Sequence, residues 1–318
     1  MPARRVIGID AGGTKLLGGV VDDALAVHHR VHRIWRGADL RETLDIIGAA
    51  VEEARGASPK VEAVGFGLPA LVDWKRGSSV WSNHLPIDGV DFRDMMSERL
   101  GLPVYVDNDA NTAVIAEHRH GAARGADHVV MLALGTGIGG GLVLDGRPYR
   151  GARGFGAELG HLVVDHDGED CPGACPGRGC LEVLASGRAI GVAAQRAAAE
   201  SPGSTLGRRL AEGGEISGGL VTELAHDGDA QAREILAEVG RRLGAGLTGI
   251  VNALNPEVVV IGGGAVAAGD LLLEPARAVV DERALPPCAE AVRIVPASFG
   301  EESGMLGAAV LALKGGRL

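Results

Sequence analysis

Leu134-Gly135-Thr136-Gly137-Ile138-Gly139-Gly140-Gly141-Leu142-Val143-Leu144 is the stretch on which the fold turns. It contains G-x-G-x-x-G, the glycine pattern of dinucleotide-binding folds, but that pattern needs a strand before it and a helix after it. His128 to Leu134 supplies the strand, whereas Leu142-Val143-Leu144 reads as a second strand. Strand, glycines, strand is instead a turn whose backbone N–H groups can approach phosphate oxygens closely. The N-terminus repeats the theme. Val6-Ile7-Gly8-Ile9-Asp10 is a short apolar strand, Ala11-Gly12-Gly13-Thr14-Lys15 a glycine turn, and Leu16 to Val21 and Leu25 to Arg33 are further strands of an antiparallel meander. Asp10 suits Mg²⁺, directly or through water, while the turn amides and Thr14 suit phosphate. Gly-Gly equally favours an ordinary hairpin turn.

Outward from these two starts the pattern alternates. Residues 40–54 have helical apolar spacing and stop at Arg55-Gly56; Val61 to Leu68 is a strand; Asp91 to Leu100 is a helix closed by Gly101. Val104-Tyr105-Val106 is a strand delivering Asp107-Asn108-Asp109, and a helix runs from Ala110 to about His120. Leu181 to Leu254 is mostly helical, broken at Ser201-Pro202-Gly203 and Gly213-Gly214. Glu257 to Ile261 is a buried strand, Leu271 to Arg283 a helix, Val292 to Val295 a strand, and Gly304 to Leu313 a closing helix. Two β-starts, each followed by α/β units, predict two related α/β lobes with a cleft between them.

Composition removes several function classes. The net charge of −10 and the lack of any Lys/Arg run leave no electrostatic footprint for nucleic acid. Neither a signal peptide nor an apolar run of membrane-spanning length is present, so a soluble cytoplasmic protein is expected. Four cysteines, three of them clustered, do not make a disulfide framework in a chain of 318 residues. The 51 glycines fit tight turns and close ligand approach, and fit the bias of a GC-rich genome as well.

Three further groups carry chemistry. In Asp107-Asn108-Asp109 one acid could serve as general base to a hydroxyl, since ligand residues gather at strand ends in α/β folds; Asn108 or Asp109 also suits the cap of the following helix. Glu158-Leu159-Gly160-His161 places a carboxylate and an imidazole on one face of a helical turn. Cys171, Cys175 and Cys180 lie 10, 14 and 19 positions after His161 and suit a tetrahedral Cys₃His zinc site with it. Cys288 and the remaining histidines have no ligand-like spacing. Gly262-Gly263-Gly264-Ala265-Val266-Ala267 fits a loose dinucleotide form, with Asp281 about where a ribose-binding acid would lie, so an NAD-dependent enzyme is a third reading.

With these motifs in order the chain resembles the ROK family (repressors, open reading frames and sugar kinases) of the actin-like ATPase superfamily, over essentially its whole length. Asp10 to Lys15 resembles the first phosphate motif, with Asp10, Gly12, Gly13, Thr14 and Lys15 its ligands; Gly135, Thr136 and Gly137 resemble the second; Gly263 and Gly264 resemble the adenosine glycines. The resemblance implies two actin-like (ribonuclease H-like) lobes, residues 1–115 with 303–318 and residues 116–302. It implies a glucokinase-like hexose kinase using ATP and Mg²⁺, with glucose the first expected sugar. An N-acetylhexosamine, fructose or allose is the alternative acceptor, and a sugar-sensing repressor the alternative class. Such repressors carry an N-terminal helix-turn-helix, for which a phosphate motif beginning at residue 10 leaves no room. Asp109 would be the base at the 6-hydroxyl; Asn108, Glu158, His161 and Glu182 would hold ring hydroxyls, with Ala70 and Asn83 as further contacts. Structural zinc on one nitrogen of His161 would fix the ring for the sugar. Two departures stand out. The family spaces its first two cysteines two residues closer than Cys171 and Cys175, which singles out Cys171, and Pro69-Ala70 replaces a Pro-Gly. A small hexose is the expected partner, without nucleic acid or membrane, and a homodimer or homotetramer the expected assembly.

Overall fold

The computed structural model describes residues 3–58 and 60–318. In chain order the first half comprises β1 (Arg5–Ala11), β2 (Lys15–Asp22), β3 (Val27–Ile34), α1 (Leu40–Ala57), β4 (Val61–Leu68), β5 (Leu71–Asp73), β6 (Ser78–Trp81), α2 (Phe92–Leu100), β7 (Val104–Asn108), α3 (Asp109–His120), β8 (Val129–Leu134), β9 (Ile138–Leu144) and β10 (Arg147–Tyr149). A single 3₁₀ turn, Leu159–His161, and the cysteine loop lead into α4 (Leu181–Ala185), α5 (Gly187–Glu200), α6 (Thr205–Ala211), α7 (Gly218–His226), α8 (Ala230–Leu254), β11 (Val258–Gly262), α9 (Asp270–Arg283), α10 (Pro286–Ala291), β12 (Arg293–Pro296) and α11 (Ser303–Leu313). The protein is α/β, with two five-stranded sheets, ordered β3-β2-β1-β4-β7 and β10-β9-β8-β11-β12, and the small hairpin β5-β6.

The chain forms two compact units. One holds the stretch ending at Met131 with Gly141–Ala157 and Glu301–Leu318; the other holds Leu132–Gly140 and Glu158–Gly300. These units keep α3 whole, whereas a division after residue 115 would cut it in mid-helix.

In the first unit β1, β2 and β3 form the expected antiparallel meander, and β4 and β7 add parallel strands. The register sets Asp10 opposite Gly67, and Gly67 opposite Asp107, so the carboxyl ends of β1, β4 and β7 lie level. Ligand residues collect at such an edge. Phe66 of β4 meets Phe92 of α2 edge to face, with ring centroids 5.2 Å apart, inside the core. α11 is apolar and buried from Ser303 through Ala312, as a helix hydrophobic all round must be. It lies so close over β4 that a Cβ at Gly65 would come within 1.8 Å of the Ala308 carbonyl oxygen. Part of the glycine content therefore serves backbone packing with no ligand involved.

Several boundaries differ from the sequence reading for local reasons. The glycine loop shrinks to a three-residue turn, Gly135-Thr136-Gly137, because β9 begins at Ile138 and takes in Gly139 and Gly140. α1 passes through Gly56 to Ala57, its last turn held by the packing of Val51 and Ala54. The helical region is broken further at Ser186, which caps α5, and at Asp229, which caps α8. β5, β6, β10 and α10 are too short to show periodicity.

Candidate active site

The first unit gathers one group of polar residues at the level strand ends. Asp10 closes β1, and the turn after it is fastened by Trp35, whose Nε1 donates to the Gly12 carbonyl at 3.0 Å and whose backbone N–H donates to Thr14 at 3.1 Å. Lys15 pairs with Glu301 on the surface, Nζ to Oε1 3.4 Å. At the end of β7, Asn108 caps α3: its Oδ1 accepts from the N–H groups of Ala110 and Asn111 at 2.9 and 3.1 Å, and its Nδ2 donates to the Ala70 carbonyl at 3.2 Å. Asp109 is the first residue of the helix, and its Oδ1 also accepts from Ala110, at 2.8 Å. Asn108 thus closes the helix, and Asp109 projects a carboxylate beside it.

Asp107 is engaged through both of its oxygens. It is 1% exposed, Oδ1 accepts from Asn108 N–H and Asn111 Nδ2, and Oδ2 accepts from Arg150 Nε at 2.7 Å. Burial raises the Asp109 carboxyl to about 6, against the opposing pull of the Ala110 N–H and of His84. Burial, and then the charge of Asp109, raise Asp10 to about 8. The two acids thus feel one another, and a divalent cation at Asp10 would relieve that repulsion. Asn83 is exposed. Its neighbour His84 is closer to the chemistry: it influences Asp109, and its Cβ would lie 2.9 Å from a Cβ at Gly13. The spacing of His84 marks no ligand role and the structure leaves it exposed; only its place beside Asn83 draws attention to it in the sequence.

The second unit gathers its group around Ile138. The turn Gly135-Thr136-Gly137 closes with Gly135 N–H donating to Gly137 at 2.9 Å, and Gly187 N–H, at the start of α5, donates to the Gly135 carbonyl at 2.8 Å. Ile138 N–H donates to Glu182 Oε2 at 2.8 Å, and the Ile138 carbonyl lies where a Cβ at Gly160 would intrude, 2.1 Å away. The 3₁₀ turn closes with His161 N–H donating to the Glu158 carbonyl at 3.0 Å, and Leu181 N–H donates to Leu162 at 2.8 Å. Ile138 thus bonds Glu182 directly and packs against Gly160, which lies between Glu158 and His161 in the chain. Gly137 packs against the carboxylate itself, since a Cβ there would stand 2.2 Å from Glu182 Oε2. A Cβ at Gly135 or Gly264 would meet nothing within 4 Å, while Gly263 (φ +78°) is pinned against Leu134. After β11 comes a five-residue 3₁₀ turn, Gly264–Ala268, and not the helix a dinucleotide fold requires.

Beside the 3₁₀ turn, the ligand atoms of His161, Cys171, Cys175 and Cys180 all lie within 4.8 Å of one another, with His161 Nδ1 3.5 Å from Cys171 Sγ. Tetrahedral zinc needs sulfur atoms about 3.8 Å apart, so the donor set and its spacing fit. The two extra residues do not remove Cys171, because Gly173 (φ +78°) turns the insertion back on itself. Burial, reinforced by the neighbouring cysteines, raises the Cys171 thiol, as burial does Cys180. Among the described residues no helix is long and apolar enough to cross a membrane.

Comparison with known proteins bears on this arrangement directly. The glucokinase of Thermotoga maritima is 35% identical over 97% of this chain and 97% of its own. The crystal structure of a ROK family glucokinase from Streptomyces griseus in complex with glucose and AMPPNP matches with a TM-score of 0.87 at 35% identity, over 98% of this chain and 99% of that one. A putative xylose repressor of Caldicellulosiruptor sp. (strain Rt8B.4) is 30% identical over 97% of this chain and 78% of its own. The sequence model of the ROK family matches residues 6–315, and with nearly every residue thus accounted for, the chain belongs to the ROK family.

Proposed function

We propose that this protein transfers the γ-phosphoryl group of ATP to the 6-hydroxyl of a hexose, with glucose as its preferred acceptor. It is an ATP-dependent hexose phosphotransferase of the glucokinase type, as its 35% identity to a glucokinase along 97% of both chains supports. The observation that carries the residue assignment is Asp109: a carboxylate at a strand end, raised to about 6, beside a neighbour that already caps the helix. Phosphoryl transfer asks chiefly for positioning and charge stabilisation. Asp109 takes the proton of the attacking hydroxyl. Asn108, Glu158, His161 and Glu182 hold the ring, with Ala70 and Asn83 at its margin. Gly12, Gly13, Thr14 and Lys15, together with Gly135, Thr136 and Gly137, are assigned to the phosphates, and Gly263 and Gly264 to the adenosine. Mg²⁺ at Asp10 neutralises phosphate charge when bound. His161, Cys171, Cys175 and Cys180 would hold zinc, which would fix the orientation of the imidazole that faces the sugar.

A coupled assay of glucose, mannose, N-acetylglucosamine and N-acetylmannosamine, each with ATP, GTP and polyphosphate, tests the reading. Glucose with ATP should give the highest kcat/KM. Preference for an N-acetylhexosamine would keep the mechanism and change the substrate. The 30% identity to a repressor favours a second reading, a sugar sensor, and a sugar that binds with no donor consumed would select it.

A further inference from the structure

Arg150 follows β10 and is buried with its side chain 5% exposed, against an Asp107 side chain 2% exposed. Its Nε donates to Asp107 Oδ2 at 2.7 Å, its guanidinium stacks 4.7 Å from the Trp74 ring centroid, and its Nη2 has no hydrogen-bond partner among the described residues. A buried pair with an unsatisfied donor is a poor device for stability, because desolvation offsets most of the attraction. It is a good device for fixing geometry. The other oxygen of Asp107 receives the backbone N–H of Asn108 and Nδ2 of Asn111, at 2.9 and 3.1 Å, and Asn108 in turn caps α3 and reaches the Ala70 carbonyl. Arg150 thus holds the strand–helix junction from which Asp109 projects, and Trp74 holds Arg150.

We infer that Arg150 is a positioning residue for phosphoryl transfer, acting through Asp107 to set the direction of the Asp109 carboxylate; this rests on Asp109 being the base. Arg150→Lys keeps the charge and loses both the Nε–H that engages Asp107 and the planar group that stacks on Trp74. It should fold with a Tm near that of the parent, keep both KM values within several-fold, and lower kcat by ~10–100-fold. In an Asp109→Asn background the same change should lower kcat no further, because residues that act as a unit are not additive. Should Arg150→Lys not fold, Arg150→Met combined with Asp107→Asn removes both charges together and permits the same comparison. An unchanged kcat in Arg150→Lys, or an equal loss in both backgrounds, overturns the inference. The base assignment fails separately, if Asp109→Asn alone turns over like the parent.

Discussion

Asp109 and Asp10 hold protons at pH values where most carboxylates have lost them, and the cause, burial in each case, fixes the sign of two pH effects. A base must be ionised to work, so kcat/KM should fall as pH drops through about 6, about tenfold per unit below it. Asp109→Asn should lower kcat by ~10²–10⁴ while sugar affinity stays within several-fold; a variant with parental turnover would return Asp109 to a purely capping role. For stability the direction is opposite. A carboxyl raised on folding favours the folded state fully only below its unfolded value of 3.8, and that advantage drains away as pH rises through the folded value, about 8 for Asp10. Asp10→Asn should therefore gain in Tm relative to the parent, measured without nucleotide or Mg²⁺, and the gain should widen from pH 5 to pH 8. A gap that is flat with pH would show that Asp10 is not strained by its surroundings.

Among the elements, α4 spans only Leu181–Ala185 yet links three features: Cys180 immediately precedes it, Glu182 lies in its first turn, and Glu182 receives the N–H of Ile138 at the glycine turn. Gly137→Ala would push a methyl group into Glu182, so affinity for the hexose and for ATP should both fall; calorimetry showing loss of only one would break that link. Zinc should be found at about one per chain, and chelation or Cys180→Ser should weaken both ligands together, since α4 would lose its anchor. Metal-free protein with parental binding would refute this. The long elements were readable before any coordinates, β4 to the residue, because eight apolar-rich positions stop at Pro69, and the β1–β3 meander from its glycine turn. The two glycine turns and the His/Cys cluster were readable because few residue types supply tight backbone turns or soft sulfur donors. What escaped depends on partners distant in sequence. Nothing near Arg150 announces Asp107, nothing near Glu182 announces Ile138, and His84 acquires its place only when Gly13 is brought against it.

For the whole molecule the most informative measurement is competition among sugars. If Glu158, His161 and Glu182 hold the ring as proposed, such polar groups penalise a ligand that leaves one of them unpaired. Galactose, with one hydroxyl inverted, should lose ~1–3 kcal/mol or more of transition-state binding relative to glucose; equal kcat/KM for the two would mean the ring is not held this way. The last helix carries a consequence of another kind. α11 lies over β1 and β4, packed to within backbone contact of Gly65, yet it is made long after both of them. While the ribosome is still translating the intervening sequence at ~5–20 residues per second, the first sheet waits on the order of ten seconds or more with one apolar face bare. Until Ser303–Leu313 emerges, the nascent chain is a natural client for a chaperone, and a message truncated just before the codons for this helix should yield aggregate instead of soluble protein.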